Sequence, residues 1–238
     1  MYFENIAGKN ICCYFSEPDP SQKKIVIMSH GFRGSSTGPA RTFVDFAQLL
    51  LSHGISVLRF DQPNSGNSDG QYIDSSFNEW VNTTTYFALK YLERNYKVAL
   101  LGQSMGATTT VVASVRKELR GKIACLLLWV PDPKTYFNQA ADAIYEEEGE
   151  KYKGTFWLEA KRADFFACLQ TYEGGLHLVY GEHDRYISET SRRQVIENVQ
   201  EKGQSVMLLP GQDHSLWEYD LAQKVYQKEL QLLQTFFS

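Results

Sequence analysis

The stretch Lys97-Val98-Ala99-Leu100-Leu101-Gly102-Gln103-Ser104-Met105-Gly106-Ala107 decides how the rest of the chain is read. A short apolar run to Leu101 predicts a strand, and a helix is predicted over 107–118. The β-branched run Thr108 to Val112 is a poor helix former by itself, so burial against a sheet has to override its propensity. Between strand and helix, glycines stand two before and two after Ser104, as a sharp turn requires where flanking side chains have no room. The serine is left at the tip of the turn. The Met105 N–H stands at a helix N-terminus, where it can point at a developing negative charge.

Outward from this turn, short β-branched runs alternate with longer helical patterns over the whole chain. Strands are predicted over 24–29, 55–60, 97–101, 124–130, 176–180 and 206–209, after a starting hairpin within 2–16. Helices place Phe43, Phe46, Ala47 and Leu50 on one face, then Phe77, Trp80, Val81, Thr84, Ala88 and Tyr91, then Val195, Ile196 and Val199. A last helix carries Tyr226, Leu230, Leu233 and Phe237. Ser76-Phe77-Asn78-Glu79 fits a capping box. The continuous apolar run 124–130 suits a central parallel strand covered on both faces. This alternation predicts one α/β domain over 1–238, with a mostly parallel sheet of about eight strands. The segment 132–174 is too long for a simple crossover. It holds Tyr136, Phe137, Tyr145, Tyr152, Phe156, Trp157, Phe165, Phe166 and Tyr172, with the acidic run Glu146-Glu147-Glu148. It is read as a small helical insertion, and its departure from a strand's C-terminal end favours a cap over a site.

Composition narrows the function classes. The 238 residues are 43% hydrophobic and 22% charged, with a formal net charge of −4. That balance gives no electrostatic reason to expect nucleic acid or an anionic membrane surface as partner. The first ten residues do not read as a secretory signal, and no apolar run is long enough to cross a bilayer. Cys12, Cys13, Cys125 and Cys168 have no metal-ligand spacing and are read as reduced thiols of a cytoplasmic protein.

A serine hydroxyl needs a base to take its proton and donors to receive the oxyanion that follows. His30-Gly31-Phe32 ends the first buried strand, and the Phe32 amide is the candidate donor beside that of Met105. His30 itself precedes the serine and is read as structural. Arg33, next to this loop, is read as a surface arginine, with a substrate carboxylate as its second reading. The base is expected after the last strand, where Gly211-Gln212-Asp213-His214 places His214. His53 and His177 have readings as capping and sheet residues, and His183 fits the base poorly by position. Three carboxylates compete to orient the base: Asp184 first, then Asp132, and Asp213 last because adjacency to His214 gives the wrong direction. The order Ser104, Asp184, His214 is that of a nucleophile turn on an α/β sheet.

These residues, with Arg59-Phe60-Asp61, Gly66-Asn67-Ser68-Asp69-Gly70 and Gly181-Glu182-His183-Asp184, resemble the α/β-hydrolase superfamily from about Lys24 to the end. Within it, the chain is similar to small bacterial carboxylesterases of the feruloyl and cinnamoyl esterase type, which insert a small cap between the same two strands. The resemblance implies a Ser-His-Asp mechanism on a small-molecule ester, needing no metal or cofactor. The chain departs from those enzymes at Pro63-Asn64-Ser65-Gly66-Asn67, where they often have Gly-His-Gly, and at Met105, where they often carry Gln. The rival readings are thioesterase, lipase-like or peptidase activity on the same residues, and a non-catalytic binding protein of this fold.

Overall fold

A computed structural model describes residues 1–133 and 140–238. An opening hairpin joins β1 (Tyr2–Ile6) to β2 (Lys9–Ser16) across Ala7-Gly8. Both turn residues have positive φ, as a tight two-residue hairpin requires. There follow β3 (Lys24–Ser29), α1 (Thr42–Ser52), β4 (Ser56–Phe60), α2 (Phe77–Leu92), β5 (Lys97–Gln103), α3 (Met105–Ser114) and β6 (Ile123–Trp129). Then come β7 (Ile144–Glu147), β8 (Glu150–Lys153), α4 (Thr155–Arg162) and α5 (Phe165–Thr171). The chain closes with β9 (Gly175–Gly181), α6 (Glu189–Glu201), β10 (Ser205–Leu209) and α7 (Tyr219–Phe236).

Eight strands form one sheet in the order β1-β2-β4-β3-β5-β6-β9-β10. Pairings of β1 with β2 and of β2 with β4 are antiparallel; all others are parallel. Successive residues of a strand face opposite sides, and the core divides accordingly. Ile25, Ile27, Leu58, Val98, Leu100, Leu126 and Leu128 pack on one face with α2, α3 and α6. Val26, Met28, Val57, Ala99, Leu101, Leu127 and Trp129 pack on the other with α1 and α7.

All ten residues of α3 are buried, so tertiary packing does override the propensity of its β-branched run. Its threonines bring hydroxyls into the core, and each finds a carbonyl. Thr109 Oγ1 donates to Met105 O and Thr110 Oγ1 to Ala107 O, both at 2.8 Å. Thr108 Oγ1 donates to Asp132 O at 2.6 Å. The helix starts at Met105 and ends at Ser114, earlier at both ends than the expected 107–118.

Two further expectations need correction. The insertion is not only helical: ahead of α4 and α5 it carries the antiparallel hairpin β7–β8, closed by Glu148-Gly149 with positive φ at both. Tyr136 and Phe137 lie outside the described residues. The capping box is half formed. Ser76 Oγ accepts from the Glu79 N–H at 3.2 Å, but the Glu79 carboxylate turns to Lys9 at 2.8 Å and to Asn64. No helix among the described residues is long and apolar enough to cross a membrane, and the four cysteines are free thiols.

Candidate active site

Ser104 stands between β5 and α3 with φ 52° and ψ −122°, a conformation that residues with a Cβ rarely adopt. The surrounding backbone over-determines it. Its N–H donates to Trp129 O at 2.8 Å, and its carbonyl accepts from the Ala107 and Thr108 N–H groups at 2.9 and 3.2 Å. The flanking glycines are steric necessities. A Cβ on Gly102 would sit 2.3 Å from Gly106 O, and one on Gly106 would sit 2.0 Å from Ser29 O. The same close approach presses the turn against the end of β3, where a Cβ on Gly31 would lie 3.0 Å from Ser104 Cβ. Phe32 follows directly, and Met105 is the first residue of α3, whose leading N–H groups have no partner within the helix.

The loops after β9 and β10 bring Asp184 and His214 together. His214 Nδ1 and Asp184 Oδ2 are 2.7 Å apart, and Asp184 Oδ1 accepts from the Tyr186 and Ile187 N–H groups, each at 2.9 Å. Both carboxylate oxygens are thus engaged on a buried side chain. With the Nδ1 proton directed at Asp184, the ring presents Nε2 as its lone pair. The Tyr186 ring packs edge-on against the imidazole at 5.2 Å.

Asp213 serves a different purpose. It binds the Arg185 side chain and accepts from the backbone N–H groups of Arg185 at 3.0 Å and His214 at 2.6 Å, so it shapes the loop and not the ring. Asp132 lines the cavity from the end of β6, and its carbonyl is held by Thr108.

Ser104, His214, Asp132, Gly31, Phe32 and Met105 line one cavity of about 530 Å³, joined by Trp157, Tyr186, Glu147 and Glu148. Asp132, Glu147, Glu148 and Trp157 come from the insertion over 132–174, which therefore walls the cavity. No group of three or more His, Cys, Asp or Glu side chains that could hold a metal is found among the described residues.

The other histidines divide as their positions suggest. His30 is fully buried; its Nε2 accepts from the Gln62 N–H at 2.9 Å and its Nδ1 lies 2.8 Å from Gly31 O. Burial lowers its pKa, and the neutral ring ties the Gly31 loop to the end of β4. Beside it, Asp61 accepts from the Ser36 and Asn67 N–H groups and fills the space a Cβ on Gly66 would need. His53 caps α1 through Leu49 O, His177 of β9 pairs with Glu229 of α7, and His183 is exposed.

The sequence did not disclose three neighbours of the site. Arg33 is not a surface arginine: it lines the cavity, and its guanidinium lies 3.3 Å from Glu147 Oε1 and 3.0 Å from Glu148 Oε2. Tyr186 reaches the imidazole because Asp184 bends the loop that carries it. Trp157 was visible only as one aromatic among many.

A family model described as serine aminopeptidase, S33, matches residues 20–135. No curated protein sequence matches the chain. Among solved structures, the chain is similar to Est1E from Butyrivibrio proteoclasticus with ferulic acid bound, at 20% identity and a TM-score of 0.83, covering 98% of this chain and 100% of that one. It is also similar to a monoacylglycerol lipase from Paleococcus ferrophilus, at 16% identity and a TM-score of 0.75, covering 94% and 99%. A third is a soluble variant of monoglyceride lipase from Saccharomyces cerevisiae in complex with a substrate analog, at 14% and 0.79, covering 99% and 94%. Identities this low speak to architecture, and with the strand order and the serine turn they agree on it: the chain has the α/β-hydrolase fold.

Proposed function

We propose that the chain is a serine hydrolase that cleaves carboxylic esters through Ser104, His214 and Asp184. The observation that carries this reading is the Asp184–His214 pair opening onto the same cavity as a serine at a strained strand–helix turn. His214 Nε2 takes the Ser104 proton as Oγ attacks the ester carbonyl carbon. The oxyanion is received by the Phe32 and Met105 N–H groups. Collapse breaks the ester C–O bond, and His214 returns the proton to the departing alcohol. Water, deprotonated by His214, then attacks the acyl-enzyme and releases the acid. No step calls on a metal or cofactor.

The aromatic walls contributed by Trp157 and Tyr186 support a small hydrophobic or aromatic ester as substrate. The ferulic acid bound to Est1E and the lipase names of the other two similar structures support the same chemistry. Labelling with a fluorophosphonate followed by peptide mass analysis tests the nucleophile. Ser104 is expected to carry the adduct, and folded protein without it would sink the reading, as would a Ser104→Ala variant with full esterase activity. The family model's description favours a second reading, amide cleavage by the same residues. A panel of short-chain, long-chain, aryl and thio esters with aminoacyl amides separates the two.

A further inference from the structure

Arg33 occupies the third position of the turn Gly31-Phe32-Arg33-Gly34, closed by the Gly34 N–H donating to Gly31 O at 3.0 Å. Its φ is +59°, at a turn position where glycine or asparagine is the low-strain choice. An arginine held in that conformation is a local cost, and here the side chain has partners that a glycine would forfeit. Glu147 ends β7 and Glu148 stands in the hairpin turn; both carboxylates close on the Arg33 guanidinium. From the other side, the Arg33 N–H donates to Tyr72 Oη at 2.7 Å. The ring of Phe32 is enclosed by Tyr72, Tyr152, Phe156 and Trp157, with centroids 4.4 to 5.2 Å away. Lys153 of β8 and Asp74, 2.6 Å apart, tie the hairpin to the segment bearing Tyr72.

We propose that Arg33 is a positioning residue: its ion pairs with Glu147 and Glu148 hold the 31–34 turn so that the Phe32 N–H stays aimed at the oxyanion formed when Ser104 attacks. The proposal rests on the ester-hydrolase reading above. It gives the acidic run of the insertion a task in catalysis that acts through the 31–34 turn. Glu147 and Glu148 are about half and two-thirds exposed, so the pairs are open to screening by salt.

Arg33→Gly separates the clamp from the turn, because glycine accepts the observed φ without strain while removing both ion pairs. The experiment measures kcat and KM on a small neutral aryl ester, with the rate of fluorophosphonate labelling, for wild type, Arg33→Gly, Arg33→Lys and the Glu147→Gln/Glu148→Gln pair. Arg33→Gly is expected to melt no lower than wild type and to lose about tenfold in kcat and labelling rate, as a small misplacement of a donor does. KM is expected to stay put. Arg33→Lys is expected to recover part of the loss, and the double glutamine variant to reproduce it, with little added by combining the two. Raised salt is expected to slow wild type and spare Arg33→Gly. Unchanged kcat in Arg33→Gly, or a loss confined to KM, overturns the proposal. Wild type that takes no label at Ser104 brings down the ester-hydrolase reading itself, and the proposal with it.

Discussion

Asp184 meets His214 through one carboxylate oxygen and the N–H groups of its own loop through the other. That division makes Asp184→Asn an informative variant. The asparagine oxygen still accepts from Tyr186 and Ile187, so the loop keeps its shape, while its NH₂ faces Nδ1 and forces the wrong imidazole tautomer. Ester hydrolysis is expected to fall by about a thousandfold to ten-thousandfold in kcat with little change in thermal stability. Asp132→Asn and Asp213→Asn are the controls in the same assay. If Asp132→Asn costs more than Asp184→Asn, the carboxylate from the end of β6 is the one that orients the base.

Gly106 faces Ser29 O and His30 O so closely that a Cβ would lie 2.0 and 2.4 Å from them. Both neighbours are backbone at the C-terminal end of β3 and cannot yield as a side-chain end can. Gly106→Ala is expected to lose about 3 kcal/mol or more in urea unfolding. Gly203 needs glycine for the opposite reason: its φ is +68°, but nothing lies within 4 Å of its Cβ position. Gly203→Ala is expected to lose about 1 to 2 kcal/mol, the conformational cost alone. A Gly106→Ala variant as stable as wild type would mean that close approach contributes nothing at the serine turn.

The contrast between those two glycines bears on which features of the fold are legible in the sequence. The serine turn is legible because its constraint is local: two glycines, a strand and a helix lie within a dozen residues. Strands β3 to β6 are legible because burial on both faces writes a continuous apolar run, as in β6. The Asp184–His214 pair is legible through chain order, since each follows a strand of the parallel sheet. Long-range partners are not. Glu79 has the spacing of a capping box, yet Lys9 and Asn64 from distant loops take its carboxylate. Hairpin β7–β8 has only four residues per strand and turns inside an acidic run, a pattern too short to outweigh its helical neighbours. The reading of Arg33 as a surface residue fails for the same reason: Glu147 and Glu148 reach it only once that hairpin forms.

Glu229 of α7 is fully buried and accepts from Trp129 Nε1 at 2.8 Å, with His177 Nδ1 at 3.0 Å. Burial raises its pKa above the ordinary 4.5, and the opposing pull of His177 and Trp129 does not cancel that rise. The folded chain therefore keeps a proton that the unfolded chain releases. Its contribution to stability is complete below about pH 4.5 and is lost as pH climbs through the folded value. Glu229→Gln carries no such proton. Urea unfolding from about pH 5 to about pH 8 is expected to show wild type losing ground steadily to the variant. A gap that stays constant, or widens in favour of wild type, would mean that Glu229 is ionised in the folded protein throughout.

Glu159 of α4 brings a carboxylate of its own to the start of α2. Its Oε2 accepts from Ser76 Oγ at 2.7 Å and from the Asn78 N–H at 3.1 Å, so a carboxylate from the insertion sits at the N-terminus of α2. Such a charge complements the helix dipole as well as an unpaired N–H. Glu159→Ala is expected to cost about 1 kcal/mol in urea unfolding and to speed amide exchange in the first turn of α2. Glu79→Ala instead removes the partner of Lys9 and leaves the Ser76 hydroxyl in place, so exchange in that turn is expected to change little. The reverse ranking would restore Glu79 as the capping residue. It would also remove the polar contact through which the insertion and α2 hold each other, leaving their packing to Phe156 against Phe77 and Trp80.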